Sequence, residues 1–170
     1  MSNIKKVGVA TDTNSGITIK QAKEIGVGII PMPFFIDGKE YFEDLTITRD
    51  IFFEKLRGGA DIKTSQPSPA ALTSLWDDML KSCEEIIYIP MSSGLSSSMA
   101  TARMLAEDYD GKVHVIDNHR ISATQKQSVF EALSMADKGM SASDIEAVLD
   151  RTALDASIYI AVDTLEYLKK

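Results

Sequence analysis

The sequence predicts an α/β domain: a mainly parallel sheet with helices on both faces and a small hairpin excursion near residues 34–42. Three observations predict it. Short, nearly continuous apolar runs (Val7-Gly8-Val9-Ala10, Ile86-Ile87-Tyr88-Ile89, Val113-His114-Val115-Ile116 and Ile158-Tyr159-Ile160-Ala161-Val162) are of the kind buried on both sides of a sheet. Stretches with helical apolar spacing, such as Leu72, Leu75, Trp76 and Met79, separate those runs. The connections are short, and polar clusters follow the strands. At 170 residues the chain suits one domain, which buries roughly 70% of its unfolded surface on folding.

Val7 to Ala10 is a buried strand ending in the polar turn Thr11-Asp12-Thr13-Asn14-Ser15-Gly16. Asp12 there is a candidate ligand or the acceptor of an Asx-type turn. Thr18 and Gln21 have capping-box spacing, so a short helix runs from about Ile19 to Glu24 and stops at Gly26. Val27 to Ile30 is the second strand. Pro31 and Pro33 interrupt regular pairing, and Phe34-Phe35-Ile36, Asp37-Gly38 and Tyr41-Phe42 form a hairpin whose aromatics are expected in ordinary core packing rather than as a lid. Thr48 precedes a helical stripe of Ile51, Phe52 and Leu56 that ends near Gly58-Gly59.

Ile62 to Pro69 stays extended because of its prolines, with Ser68-Pro69 opening the next helix. The strand at Ile86–Ile89 leads into Ser92-Ser93-Gly94-Leu95-Ser96-Ser97-Ser98, at the start of a helix containing Ala100, Met104 and Leu105. Free N–H groups at such a helix start favour an anion, whereas Ser96, Ser97 or Ser98 can equally serve as a cap. The strand at Val113–Ile116 ends in Asp117-Asn118-His119-Arg120-Ile121-Ser122, which shares a sheet edge with the serine loop. A long helix runs from about Ser122 to Lys138, a second capping box at Ser143–Glu146 opens a helix to about Leu154, and a last strand (158–162) precedes a helix from Asp163 to Lys170.

A net charge of −7 without Lys or Arg clusters argues against a nucleic-acid partner. The single cysteine, Cys83, falls on an apolar-faced helix and reads as an inert thiol in a reducing cytoplasm. No apolar run is long enough to span a bilayer. Two histidines give little basis for a metal site, and no cofactor motif is present.

Two chemistries remain open. Gly94-Leu95-Ser96-Ser97-Ser98 approximates the nucleophile elbow of acyl hydrolases, with Asp117 and His119 following in the expected order. Against it, Ser98 replaces the final glycine, and two residues of separation make an Asp117–His119 orienting bond awkward. A binding site asks for less: hydroxyls of Thr64 or Ser65 and of Ser92 or Ser93 converging on a carboxylate, with an apolar cavity beyond. A domain that only docks a partner is the third possibility.

Several of these stretches together resemble the N-terminal domain of the DegV family of fatty-acid-binding proteins: Thr11-Asp12-Thr13, Pro31 to Gly38 with Tyr41, Lys63-Thr64-Ser65-Gln66-Pro67-Ser68-Pro69, Ser92-Ser93-Gly94-Leu95-Ser96, Val113 to Asp117, and Val162 to Leu168. The resemblance implies a non-catalytic carrier that holds a long-chain fatty acid by its carboxylate and presents it to a separate ATP-dependent fatty acid kinase. It implies contact with membranes only while lipid is loaded, and no cofactor. Thr64 and Ser93 are then the principal carboxylate ligands, with Ser65 and Ser92 beside them and Asp12, Ser96, Asn118 and Ser122 as secondary lining. Ser97-Ser98-Met99 departs from the usual Gly-Thr-Tyr, and Asn118 to Ser122 lacks the usual glycine-rich continuation. Family members continue past Tyr167-Leu168 into a second domain that completes the tunnel. This chain, ending at Lys169-Lys170, is expected to lack it, to fold nonetheless, to bind fatty acid weakly and to self-associate through the exposed apolar face.

Overall fold

A computed structural model describes residues 5–43, 45–159 and 161–162. Four parallel strands form its main sheet: β1 (Lys5–Asp12), β2 (Gly28–Ile30), β6 (Cys83–Ile89) and β7 (Val113–Val115), in the spatial order β2-β1-β6-β7. Alternation along the central strands divides the core in two. Val7, Val9, Ile87 and Ile89 point to one face, against α1 (Ile19–Ile25), α5 (Ser122–Asp137) and α6 (Ala142–Arg151). Ala10, Ile86 and Tyr88 point to the other, against Leu72 and Trp76 of α3 (Pro69–Met79) and Met99 and Ala102 of α4 (Ser98–Ala106). The expected doubly covered parallel sheet is therefore present, and the near-continuous apolar strands follow from burial on both sides.

The hairpin also forms, as β3 (Pro33–Ile36) and β4 (Lys39–Phe42) joined by Asp37-Gly38 at φ 50° and 78°, the left-handed pair that a two-residue hairpin turn needs. A third strand, β5 (Ile62–Thr64), joins β3 antiparallel, so the segment expected to be merely extended completes a separate three-stranded sheet. Its aromatics depart from expectation. Phe34, Phe35, Tyr41 and Phe42 are half-buried and belong to neither core cluster, because the small sheet lies outside the two helix layers.

Local signals are otherwise well obeyed. Thr18 and Gln21 make both capping-box bonds and Gly26 ends α1 at φ 72°. Thr48 caps α2 (Arg49–Arg57) through the Ile51 N–H. The last long helix starts earlier than its expected box at Ser143: Ser141 is the cap, accepting from the Asp144 N–H and donating its hydroxyl to that carboxylate at 2.6 Å. Cys83 begins β6 rather than sitting on a helix, and its thiol donates to the Met79 carbonyl at 3.2 Å. The strand expected at 158–162 is absent over the described residues 158, 159, 161 and 162. Apolar composition supplies no ladder partner, and Ile158, Tyr159 and Val162 stand in solvent. The helix expected from Asp163 to Lys170 lies outside the described residues.

Glycine has a packing role in one place. Met79 lies against the sheet where Gly8 and Gly28 lack side chains, and a Cβ on Gly28 would collide with the Met79 sulfur. Gly28→Ala should therefore lower stability by about 1–3 kcal/mol, with a smaller penalty in a Met79→Ala background. Equal urea-denaturation penalties in the two backgrounds would refute this contact as the cause.

Candidate functional site

The site is set by where the chain leaves the sheet. Strands β1 and β6 end side by side, with Thr11 paired to Ile89. The chain then departs to opposite faces, through α1 after β1 and through α4 after β6. Such a divergence opens a crevice beyond the strand C-termini. The crevice floor is tied to the connection beyond β2, where the Met32 N–H donates to the Thr13 hydroxyl at 3.0 Å.

The small sheet forms the opposite wall. Phe34 stands directly across from Tyr41 on one side and Thr64 on the other, so these three side chains share a face, and Ile62 lies two residues along on that face. Phe52 of α2 packs edge-on to Phe34 with ring centroids 5.4 Å apart, and Phe53 stacks similarly on Phe52. Between the walls is an open cavity of ≈ 970 Å³. It is lined by the apolar side chains of Phe34, Phe52, Phe53 and Ile62 and by hydroxyls from two places, Thr64 and Ser65 at the end of the small-sheet wall and Ser96 and Ser97 on the serine loop. Gln66, also on the wall, accepts from the Thr101 hydroxyl at 3.1 Å, which links the Thr64–Gln66 segment to α4.

The expected carboxylate ligands divide into two groups. Thr64 and Ser65 line the cavity. Ser92 is buried below the loop, its hydroxyl accepting from the Gly94 N–H at 3.2 Å. Ser93 is exposed and donates from its hydroxyl and its N–H to Asp117, away from the cavity wall. Among the secondary positions, Ser96 lines the cavity and acts as a cap, accepting from the Ser98 N–H at 3.1 Å. Asn118 is buried and donates to the Ser128 hydroxyl, and Ser122 opens α5 at φ 56°. Asp12 is fully buried behind the cavity.

The hydrolase arrangement is not assembled. The Ser96 hydroxyl donates to the Ser98 hydroxyl at 3.0 Å, while His119 turns to Asp117, with Nδ1 3.6 Å from Oδ1. The two-residue spacing thus permits an Asp–His approach, at ion-pair rather than hydrogen-bond distance.

Sequence reasoning missed four residues. Phe52 falls within the apolar stripe of Ile51, Phe52 and Leu56 and Phe53 beside it, yet no residue of α2 is buried. Arg49, at the start of α2, brings a guanidinium to the cavity mouth, 3.4 Å from Glu43. Gln125 on α5 is completely buried behind the site, and nothing local distinguishes it from a solvent-facing glutamine.

A family model described as "Uncharacterised protein, DegV family" matches residues 6–170. A DegV domain-containing protein of Deinococcus radiodurans is 28% identical over 164 residues, covering 96% of this chain and 58% of that protein. Among solved structures, a DegV family protein from Thermus thermophilus described by its fatty acid binding superposes with a TM-score of 0.80 at 26% identity, over 87% of this chain and 53% of that one. A fatty acid binding DegV family protein from Streptococcus agalactiae gives 0.79 at 26% identity, over 87% and 53%. The chain thus spans little more than half the length of these proteins.

The Asp117 contacts carry a pH signature. Burial opposes its charge, but hydrogen bonds from the Ser93 hydroxyl and N–H, with His119 nearby, outweigh that and hold the carboxyl below its ordinary value. A depressed folded value contributes stability above the unfolded value of about 3.9, lost as pH falls through the folded one. Asp117→Asn should cost roughly 0.5–1.5 kcal/mol at pH 6 and nothing once both states are protonated. A denaturation penalty independent of pH would contradict the assignment.

Proposed function

Because this chain belongs to the DegV family, we propose that it binds a long-chain fatty acid, with the acyl chain along the aromatic wall and the carboxylate among the hydroxyls. The observation that carries this reading is the open cavity of ≈ 970 Å³ lined both by the aromatic side chains of Phe34, Phe52 and Phe53 and by the hydroxyls of Thr64, Ser65 and Ser96, with Thr64 beside Phe34 at the edge of the aromatic wall. An amphiphile matches that division, since its tail removes apolar surface from water while its head finds donors.

Thr64 is the principal head-group donor. It stands exposed on the wall, and no protein partner for its hydroxyl is found among the described residues. Ser65 lies beside it. Ser93 contributes once its hydroxyl leaves Asp117, and Ser92 supports the loop from beneath. The guanidinium of Arg49 adds a positive charge at the mouth, already shared with Glu43. Neutral donors of this kind orient a carboxylate and contribute about 0.5–1.5 kcal/mol each, somewhat more to a charged acceptor. Tail burial, at about 0.8 kcal/mol per CH₂, supplies most of the affinity.

The protein then acts as a non-catalytic carrier in the cytoplasm, presenting the bound acid's carboxylate to an ATP-dependent fatty acid kinase. Loading needs only brief contact with a bilayer, and among the described residues no helix is long and apolar enough to cross one. Ser96 is a cap in this reading, with its hydroxyl engaged by Ser98.

Titration of the chain with saturated acids from C10 to C16 tests the reading. Affinity should rise about fourfold per CH₂ until the cavity is filled. Thr64→Ala should weaken binding more than Ser93→Ala, by a factor of about 3–10. Chain-length-independent affinity would refute tail burial, and an equal loss in the two variants would refute the ranking of donors.

A further inference from the structure

Behind the cavity lies a buried carboxylate that the lipid reading leaves without a task. Asp12, at the end of β1, is 0% exposed and has no ion-pair partner among the described residues. Its oxygens instead accept three N–H groups: Oδ2 from the Met91 backbone at 2.8 Å, and Oδ1 from the Asn14 backbone at 2.9 Å and from Gln125 Nε2 at 3.2 Å. Gln125 also lies within 3.0 Å of the Thr11 hydroxyl and 3.2 Å of the Ile89 carbonyl, so one buried side chain from α5 bridges the ends of β1 and β6. Met91 and Asn14 both line the cavity.

We propose that Asp12 is a positioning residue, whose carboxylate clasps the Met91 end of the serine loop to β1 and thereby sets the shape of the cavity's polar wall. The proposal rests on the lipid-binding reading for its functional consequence, while the clasp itself can be tested without lipid. An Asx-type turn needs only the Asn14 bond. The Met91 bond, spanning 79 positions, is the one that joins the two halves of the crevice. Protonation would turn one of the two oxygens from acceptor to donor and leave a buried N–H without its partner.

The surroundings make the clasp responsive to pH. The groups facing Asp12 are Gln125 from α5, Thr11 and Asn14 from its own turn, Met91 and, on β6, the buried Tyr88 phenol, whose ionisation burial and the Asp12 charge push well above the ordinary range. No cation is among them. Burial raises the Asp12 carboxyl above its ordinary value, and the Met91, Gln125 and Asn14 hydrogen bonds offset this only in part. A raised folded value means that the folded state holds the proton more tightly. Stability contributed by Asp12 therefore falls as pH rises from the unfolded value to the folded one.

The test is an amide NMR titration of the 170-residue chain from pH 8 to 4, paired with binding of laurate and of dodecanol, which is uncharged throughout. The Met91 and Asn14 amide signals should shift with one shared midpoint above the ordinary Asp value of about 3.9. Wild-type affinity for dodecanol should fall through that same midpoint. In Asp12→Asn these shifts should vanish, the Leu95 to Ser97 amides should move, and both ligands should bind about tenfold more weakly, with no pH dependence for dodecanol. Gln125→Met, which removes one donor and keeps the Met91 bond, should raise the shared midpoint and serves if the Asn variant does not fold. A Met91 amide that fails to titrate, or Asp12→Asn with wild-type affinity and unmoved loop amides, would overturn the proposal. If wild type binds neither ligand at any pH, the lipid reading fails, and the amide titration alone decides whether Asp12 clasps the loop.

Discussion

The cavity and the buried network behind it both follow from the departure of the chain to opposite faces after β1 and β6. Two parallel strands ending side by side leave carbonyl and N–H groups without ladder partners where their connections separate. The protein satisfies those groups with side chains rather than by closing the gap. Thr11 donates to the Ile89 carbonyl at 2.7 Å, Asp12 reaches the Met91 N–H, and Gln125 bridges between them. The gap remains open in front of this buried network, and the cavity occupies it.

Architecture alone does not make that opening suitable for an amphiphile. The small antiparallel sheet and α2 do so, because they carry apolar side chains that the two main cores do not use. Helix α2 buries none of its residues, and Phe53 remains 42% exposed. A helix with that pattern is poorly anchored by the protein itself, so an apolar chain lying against Phe34, Phe52 and Phe53 would supply burial the fold withholds. Among the hydroxyls, the pairing of β5 with β3 fixes the backbone of Thr64, and the Ser98 N–H and hydroxyl hold Ser96, so both are ordered before a ligand arrives.

Much of this was legible in the sequence because the relevant signals are local. The parallel sheet announced itself through apolar runs such as Ile86–Ile89, and the hairpin through Asp37-Gly38. Thr18, Thr48 and Ser68 marked helix starts through chemistry contained within one turn. The Thr64–Ser65 segment and Ser96 were recognisable as polar groups beside element ends, where sites form. What escaped depends on contacts between distant segments. Phe52 reads as a core residue by spacing alone, and only the position of α2 outside the helix layers turns it toward a cavity. Gln125 lies 113 positions from the carboxylate it serves. The final apolar run, Ile158 to Val162, has strand composition but finds no ladder among the described residues, since β-propensity reflects fit to neighbours. Ser93 shows the opposite limit: its residue type suits a carboxylate donor, but a nearby carboxylate of the protein, Asp117, engages its hydroxyl.

On the proposed reading, an acyl chain lies between the small sheet and the serine loop, with its head toward Thr64. A palmitate carrying a photoactivatable diazirine near its methyl end tests this most directly, through peptide mapping of the covalent adducts. Labelling should concentrate on the peptides containing Phe34, Phe52 and Phe53 and be suppressed by unlabelled palmitate. Labelling confined to the exposed Ile158, Tyr159 and Val162, or competed equally well by short-chain acids, would rule that placement out.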